Sequence, residues 1–155
     1  MANTLMQFHK GLAEIGIATT MVVPMAVDHA AKLIQDEAKR VLGSYDYGWQ
    51  QLAPSTQAER QRLGFTPNDP LLRTGDLKNS IEKTEAKREG PLAVVAYVGS
   101  NSPYAAAQEL GTATIPARSY LGGATMHEEA KIHEETGRRI HAAQVAALFA
   151  RTIIP

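Results

Sequence analysis

A chain of 155 residues, with 16 basic and 16 acidic side chains and a pI near 7.0, has the length for one domain with a sizeable core. Zero net charge argues against a protein whose main task is to grip a phosphate backbone, because that affinity comes from neutralising phosphates. It also gives little protection against self-association. With no cysteine there are no disulfides and no thiolate chemistry, and structural zinc would have to rely on histidines and carboxylates.

From Leu5 the apolar residues recur at spacings of three and four: Leu5, Phe8, Leu12, Ile15, then Val22, Ala26, Ala30, Leu33, Ile34 and Val41. This predicts a long amphipathic helix that Pro24 kinks or splits near Thr20 and Gly43 ends. Unbroken, it would be roughly 55 Å long, more than a compact domain of this size is wide. Two readings stand: part of it packs on another subunit, or two shorter helices fold against one core. The apolar run Ile15 to Val27 is interrupted by Thr19, Thr20 and Pro24 and reads as too short to span a bilayer. The N-terminus lacks the basic flank and cleavage pattern of a signal peptide. The expectation is a protein made in the cytoplasm, with no membrane partner.

Residues 44–70 are rich in turn formers and hold the only tryptophan, Trp49, with a capping-box pattern at Thr56 to Glu59 for a short helix ending at Gly64. Thr74 is placed to cap a helix from Gly75 to Ile81, with Leu77 and Ile81 facing the core. Leu92 to Val98 reads as a strand, paired antiparallel with Ile81 to Arg88 through Glu89-Gly90-Pro91. Next comes Pro103 to Gly123, the rigid stretch around which the chain is organised. Ser102 reads as an N-cap and Pro103 as the first helical residue, with Gly111 at the left-handed exit. Ile115-Pro116 then forces extended backbone, predicting an edge strand. A capping box at Thr125 to Glu128 predicts a helix to about Arg151, weakened at Gly137, before the apolar tail Thr152 to Pro155. The segments are thus a helical arm at 1–43, an extended loop at 44–70, a sheet core at 71–123 and a C-terminal helix with its tail at 124–155, all in a single domain 1–155.

Several pieces of this chain resemble, in order, the virion morphogenesis or tail-completion family of tailed bacteriophages, small neck proteins that join tail to head. They are Gly48 to Leu52 with Thr56 and Arg60; Leu71-Leu72-Arg73-Thr74-Gly75-Asp76-Leu77 through Ile81; and Val98-Gly99-Ser100. Then follow Tyr104-Ala105, Glu109-Leu110-Gly111-Thr112, and Ile115-Pro116-Ala117-Arg118-Ser119-Tyr120-Leu121-Gly122. The resemblance covers roughly Gly48 to Gly123, and its specificity lies in the order and spacing of pieces that are individually common. Ser119 stands where the family often has proline, which makes that segment less stiff, and Glu109-Leu110 occupies a more variable pair. The resemblance implies an α+β fold, a small antiparallel sheet packed with a long N-terminal helix and a C-terminal helix. It implies a structural, non-enzymatic role without cofactor. Copies would form a homo-oligomeric ring, hexameric by the same implication, between neck, connector and tail proteins. DNA would pass through the lumen without sequence-specific binding, and the protein would be found in the virion neck after assembly in the host cytoplasm. A ring requires heterologous interfaces that close on rotation.

Within this reading, Trp49, Ile115, Pro116, Arg118, Tyr120 and Leu121 are the candidate subunit-interface residues. Ile115, Tyr120 and Leu121 are too apolar to leave in water, and Arg118 would pair across the interface. Arg118→Ala is then expected to fold normally and fail in assembly. Thr74, Gly75, Leu77, Tyr104, Glu109 and Gly111 are the structural motif residues, with Tyr104 in the core and Glu109 holding the Gly111-Thr112 turn through backbone N–H groups. The plainer readings are that Trp49 only packs its loop and that Arg73 and Arg118 pair within the subunit. A rival class is a small metal-dependent hydrolase using His127, His133 and His141 with the glutamates around them, although the H-E-x-x-H spacing is absent. A nucleic-acid-binding module is the third reading. No G-x-S-x-G occurs, and Asp28-His29 has no serine nucleophile pattern nearby.

Overall fold

The structure, a computed structural model, describes residues 2–90 and 93–149. Its fold is α+β. Helix α1 (Ala2–Val41) leads to α2 (Pro54–Arg62) and α3 (Asp76–Asn79). Four short strands follow, β1 (Ile81–Lys83), β2 (Lys87–Arg88), β3 (Val94–Val95) and β4 (Val98–Ser100), then α4 (Ala105–Leu110) and α5 (Leu121–Phe149). The chain divides into two compact units. One gathers Met1–Ala30, Glu85–Ala96 and Ala130–Pro155, and the other gathers Ala31–Thr84 and Tyr97–Glu129.

In the first unit, α1 runs through Pro24 without the predicted split, so its 40 residues correspond to about 60 Å of helix. Pro24 has no N–H to give the Thr20 carbonyl, and Arg88 Nη2 donates to that carbonyl instead. Gln144 reaches Thr19 Oγ1 at 3.2 Å, and His29 pairs with Glu135, whose carboxyl this hydrogen bond holds below its usual range. Ala26 is fully buried, whereas Ile17, Met21 and Met25, spaced four apart, are 61 to 70% exposed. Because Pro24 does not end the helix, residues 9–41 are long and apolar enough, by length and composition alone, to cross a membrane. The most apolar 18-residue window of that helix has a mean hydropathy of 1.3, and Thr19, Thr20 and Pro24 lie within the continuous helix.

In the second unit, the core joins Ala38, Val41 and Leu42 of α1 to Leu77, Ile81, Ala105, Tyr120 and Ala124. Gly43 ends α1 as expected, at φ +95°, and donates to the Pro70 carbonyl at 2.8 Å. Leu77 and Ile81 both face this core, although α3 is shorter than predicted and Ile81 already belongs to β1. Helix α2 starts at Pro54 rather than at a Thr56 cap, because proline at the first helical position needs no N–H partner.

The predicted hairpin pairs the expected segments, but in two short ladders. β1 pairs antiparallel with β4, Ile81 opposite Ser100, and β2 pairs with β3, Lys87 opposite Val95. Three residues separate β1 from β2 and two separate β3 from β4, an inequality that breaks the ladder as a bulge does. Thr84 fills the break, giving its N–H to the Tyr97 carbonyl and accepting the Tyr97 N–H on Oγ1. The predicted start of this strand at Leu92, and the tail Thr152 to Pro155, lie outside the described residues.

Two further helix starts differ from their predictions. α4 begins at Ala105, with Ser102 and Pro103 in the preceding turn, and the buried Ser102 hydroxyl caps nothing. α5 begins at Leu121, before the Thr125 capping box, and the Thr125 hydroxyl instead donates to the Leu121 carbonyl one turn back.

Candidate functional site

The organising stretch takes its shape from two local devices. Gly111, at φ +76°, leaves α4 in a conformation that favours glycine, and a Cβ there would lie 2.8 Å from Ala117 N and 2.9 Å from the Ile115 carbonyl. The chain turns back through Thr112 N to the Ile115 carbonyl, and Arg118 N donates to the Gln108 carbonyl at 2.8 Å, satisfying an acceptor that the end of α4 leaves open. Residues 112–119 therefore form a hydrogen-bonded loop, and the predicted edge strand at Ile115 is absent. Glu109 supplies the second device. Its carboxylate accepts from Tyr120 N, Leu121 N and Gly122 N at 2.8 to 2.9 Å and from Ser119 Oγ at 2.6 Å. It caps α5, where four N–H groups lack helical partners and the dipole favours negative charge, rather than the Gly111-Thr112 turn. Behind this cap, Gly123 lets Tyr47 pack against α5, since a Cβ would come within 2.6 Å of the ring.

In front of the loop lies a cavity of about 740 Å³. Gln50 to Ala53, Thr56 and Arg60 form one wall, Leu71 with Arg73 to Leu77 a second, and Tyr104, Gln108 and Thr114 to Pro116 a third, with Phe65 and Arg118 completing it. Three guanidinium groups converge here. Arg118 is only 5% exposed, gives Nη2 to the Gln50 carbonyl at 3.0 Å, and leaves its buried Nε without a partner. Arg60 gives Nη1 to the Asp69 carbonyl at 2.6 Å, and Arg73 lies 5.1 Å above the Phe65 ring. Burial pushes the Arg60 pKa below its ordinary value, with the Arg73 charge acting in the same direction and the Asp69 charge opposing it. Asp76 is the one carboxylate on the lining, and it accepts the Thr74 hydroxyl. Leu71 also lines the cavity, at φ +62°, the one non-glycine among the described residues held at positive φ, a strain of about 1–2 kcal/mol.

The predicted interface residues separate. Ile115, Pro116 and Arg118 share the cavity lining. Tyr120 does not belong with them: its ring is fully buried in the subunit's own core, and burial pushes its phenol above the ordinary value. Leu121 and Trp49 are half-buried against that same core, and Trp49 sits edge-on to Tyr47 with centroids 5.6 Å apart, so it packs its loop. Arg118 bonds within its own subunit, to the Gln50 carbonyl, so its loss would remove an intrasubunit hydrogen bond as well as any contact across an interface. Of the motif residues, Thr74, Gly75 and Leu77 line the cavity, Gly75 as the left-handed residue before α3 and Thr74 reaching Asp76 N. Tyr104 is 42% exposed on the cavity wall rather than in the core. Phe65 and Leu71 join the site without a sequence signal, because a lone aromatic in a turn and a left-handed leucine carry no local sequence signature.

A second polar group surrounds Glu37, which is buried. Arg40 binds its carboxylate through Nε and Nη2 at 2.6 and 2.8 Å, Tyr47 donates at 2.8 Å, and His127 Nδ1 lies 3.3 Å away. The Arg40 guanidinium lowers the Glu37 pKa to about 2, and Arg40 also binds Asp46. Glu37, His127 and Glu128 offer ligand atoms within 4.8 Å of one another, a geometry able to hold a cation. Any such cation would have to displace the guanidinium from Glu37. His133 and His141, the other histidines of the hydrolase reading, are exposed and take no part in this cluster.

Comparison with protein families, with characterised proteins and with solved structures finds no match to this chain.

Proposed function

We propose that the protein is a structural, non-enzymatic component of a tailed-phage or prophage virion, assembling as a homo-oligomeric ring at the head–tail neck. The observation that carries this reading is the convergence of the segments that resemble tail-completion proteins. Gln50 to Leu52, Thr56, Arg60, Leu71, Arg73 to Leu77, Tyr104 and Ile115 to Arg118 are far apart in sequence, yet they line one cavity. Segments that meet only after folding, around a basic hollow and a strained leucine, suit a surface built to receive another protein. The exposed row of Ile17, Met21 and Met25 supports an assembling chain, since a neighbouring copy would remove that apolar surface from water. In this role the neutral chain lets DNA through without reading its sequence, needs no cofactor and has no membrane partner.

Deleting the gene from the phage genome that carries it should leave filled heads and separate tails, rescued by supplying the protein. Normal particles without it would contradict the reading. The hydrolase alternative has its own measurement: stoichiometric zinc or manganese in the purified protein, lost on Glu37→Gln or His127→Ala, would favour it.

A further inference from the structure

We propose that the three-arginine cavity is a socket for an acidic, partly apolar peptide segment of a partner protein, with a carboxylate of that segment received by Arg118 and Arg73. The identity of the partner as a neck or tail protein rests on the proposed assembly role; the chemistry of the socket does not. Arg118 is nine-tenths buried and bonded only to a backbone carbonyl, and its Nε faces no acceptor. Among the described residues, neither it nor Arg60 nor Arg73 has a carboxylate within ion-pair distance, so the lining carries three cations and one carboxylate, Asp76, with the Asp69 charge acting on Arg60 from beside it. Like charges gathered around one hollow, with Arg118 buried, disfavour the empty site, and a carboxylate entering it relieves that repulsion while accepting the fork-shaped donors. The remaining walls decide between possible anions. Leu52, Phe65, Leu71, Leu77 and Ile115 give the hollow apolar sides, which suit a short peptide carrying an aliphatic residue beside its carboxylate. A nucleic-acid backbone would meet those sides with sugars and phosphates, and a chain of zero net charge offers it little long-range attraction.

The test measures fluorescence anisotropy with the full chain and a short fluorescein-labelled peptide of alternating leucine and glutamate. Competitors are the same peptide with glutamine for glutamate, inorganic phosphate and a single-stranded oligonucleotide. Saturable binding of the glutamate peptide is expected, weakened by salt and at least about tenfold tighter than the glutamine peptide. Arg118→Gln should weaken binding about tenfold or more. Because Arg118 also holds the Gln50 carbonyl, the exposed Arg73→Gln is the companion variant: it should keep the parental melting temperature and still lose binding. Equal binding of the two peptides, no saturable binding, or parental affinity in both variants overturns the socket. Tighter binding of the oligonucleotide or of phosphate overturns the choice of peptide. Peptide binding by a protein that is absent from virion necks would keep the socket and reject the neck reading.

Discussion

Glu109 joins two elements through a single carboxylate, and its removal should be felt by both. Glu109→Ala strips four hydrogen bonds from the start of α5 and is expected to destabilise the fold by about 2 kcal/mol, lowering the urea midpoint without changing the slope. Glu109→Gln should recover only part of this, because the neutral amide loses the charge that favours a helix N-terminus. An Ala variant as stable as the parent would show that water replaces the cap without loss. Glu37 makes a pH-dependent contribution whose sign follows from its partner. Arg40 depresses its folded pKa from 4.5 to about 2, so the stabilisation is complete above about pH 5 and is lost as the pH falls through 4.5 towards 2. Up to about 3 kcal/mol is involved, and Glu37→Gln should flatten that part of the stability–pH profile. An unchanged acid limb in the variant would remove Glu37 from the explanation.

At the scale of elements, α1 shows how a local rule is overridden by a distant residue. Proline inside a helix predicts a kink or a split near Thr20; the helix is not split, and Arg88, 68 residues along the chain, donates to the carbonyl that Pro24 leaves open. Pro24→Ala restores the helical N–H and should raise the melting temperature, a gain of up to about 3 kcal/mol. A loss of stability would mean that the Arg88 contact with the Thr20 carbonyl contributes more than the restored helical hydrogen bond. The same contrast explains what was legible beforehand. The end of α1 at Gly43, the core positions of Leu77 and Ile81, and the left-handed exit at Gly111 depend on a few consecutive residues, so their signals are local. The start of α5 depends on Glu109, 11 to 13 residues before the N–H groups it caps, and a nearby capping box at Thr125 points to the wrong turn. The division of the hairpin into two ladders depends on Thr84 meeting Tyr97, which no alternation of apolar residues reveals. The cavity was legible only in part. Ile115, Pro116 and Arg118 signal it by the apolar and charged surface they carry, whereas Tyr120, with the same signal, lies in its own core, because an apolar side chain looks the same in sequence whichever side it buries.

At the scale of the whole molecule, the proposed role is assembly. The exposed row on α1 and the basic cavity are two different surfaces, as the heterologous contacts of a closed ring require. Replacing Ile17, Met21 and Met25 together by serine should leave the fold's helix content unchanged and lower the oligomeric state seen by sedimentation; unchanged assembly would remove this face from the interface. The most direct measurement of the central claim is electron microscopy of the purified protein alone and mixed with tails from particles that lack it. Closed rings, seated on the head-proximal end of the tails, are the expected result. A protein that stays monomeric and leaves those tail ends bare would contradict the account.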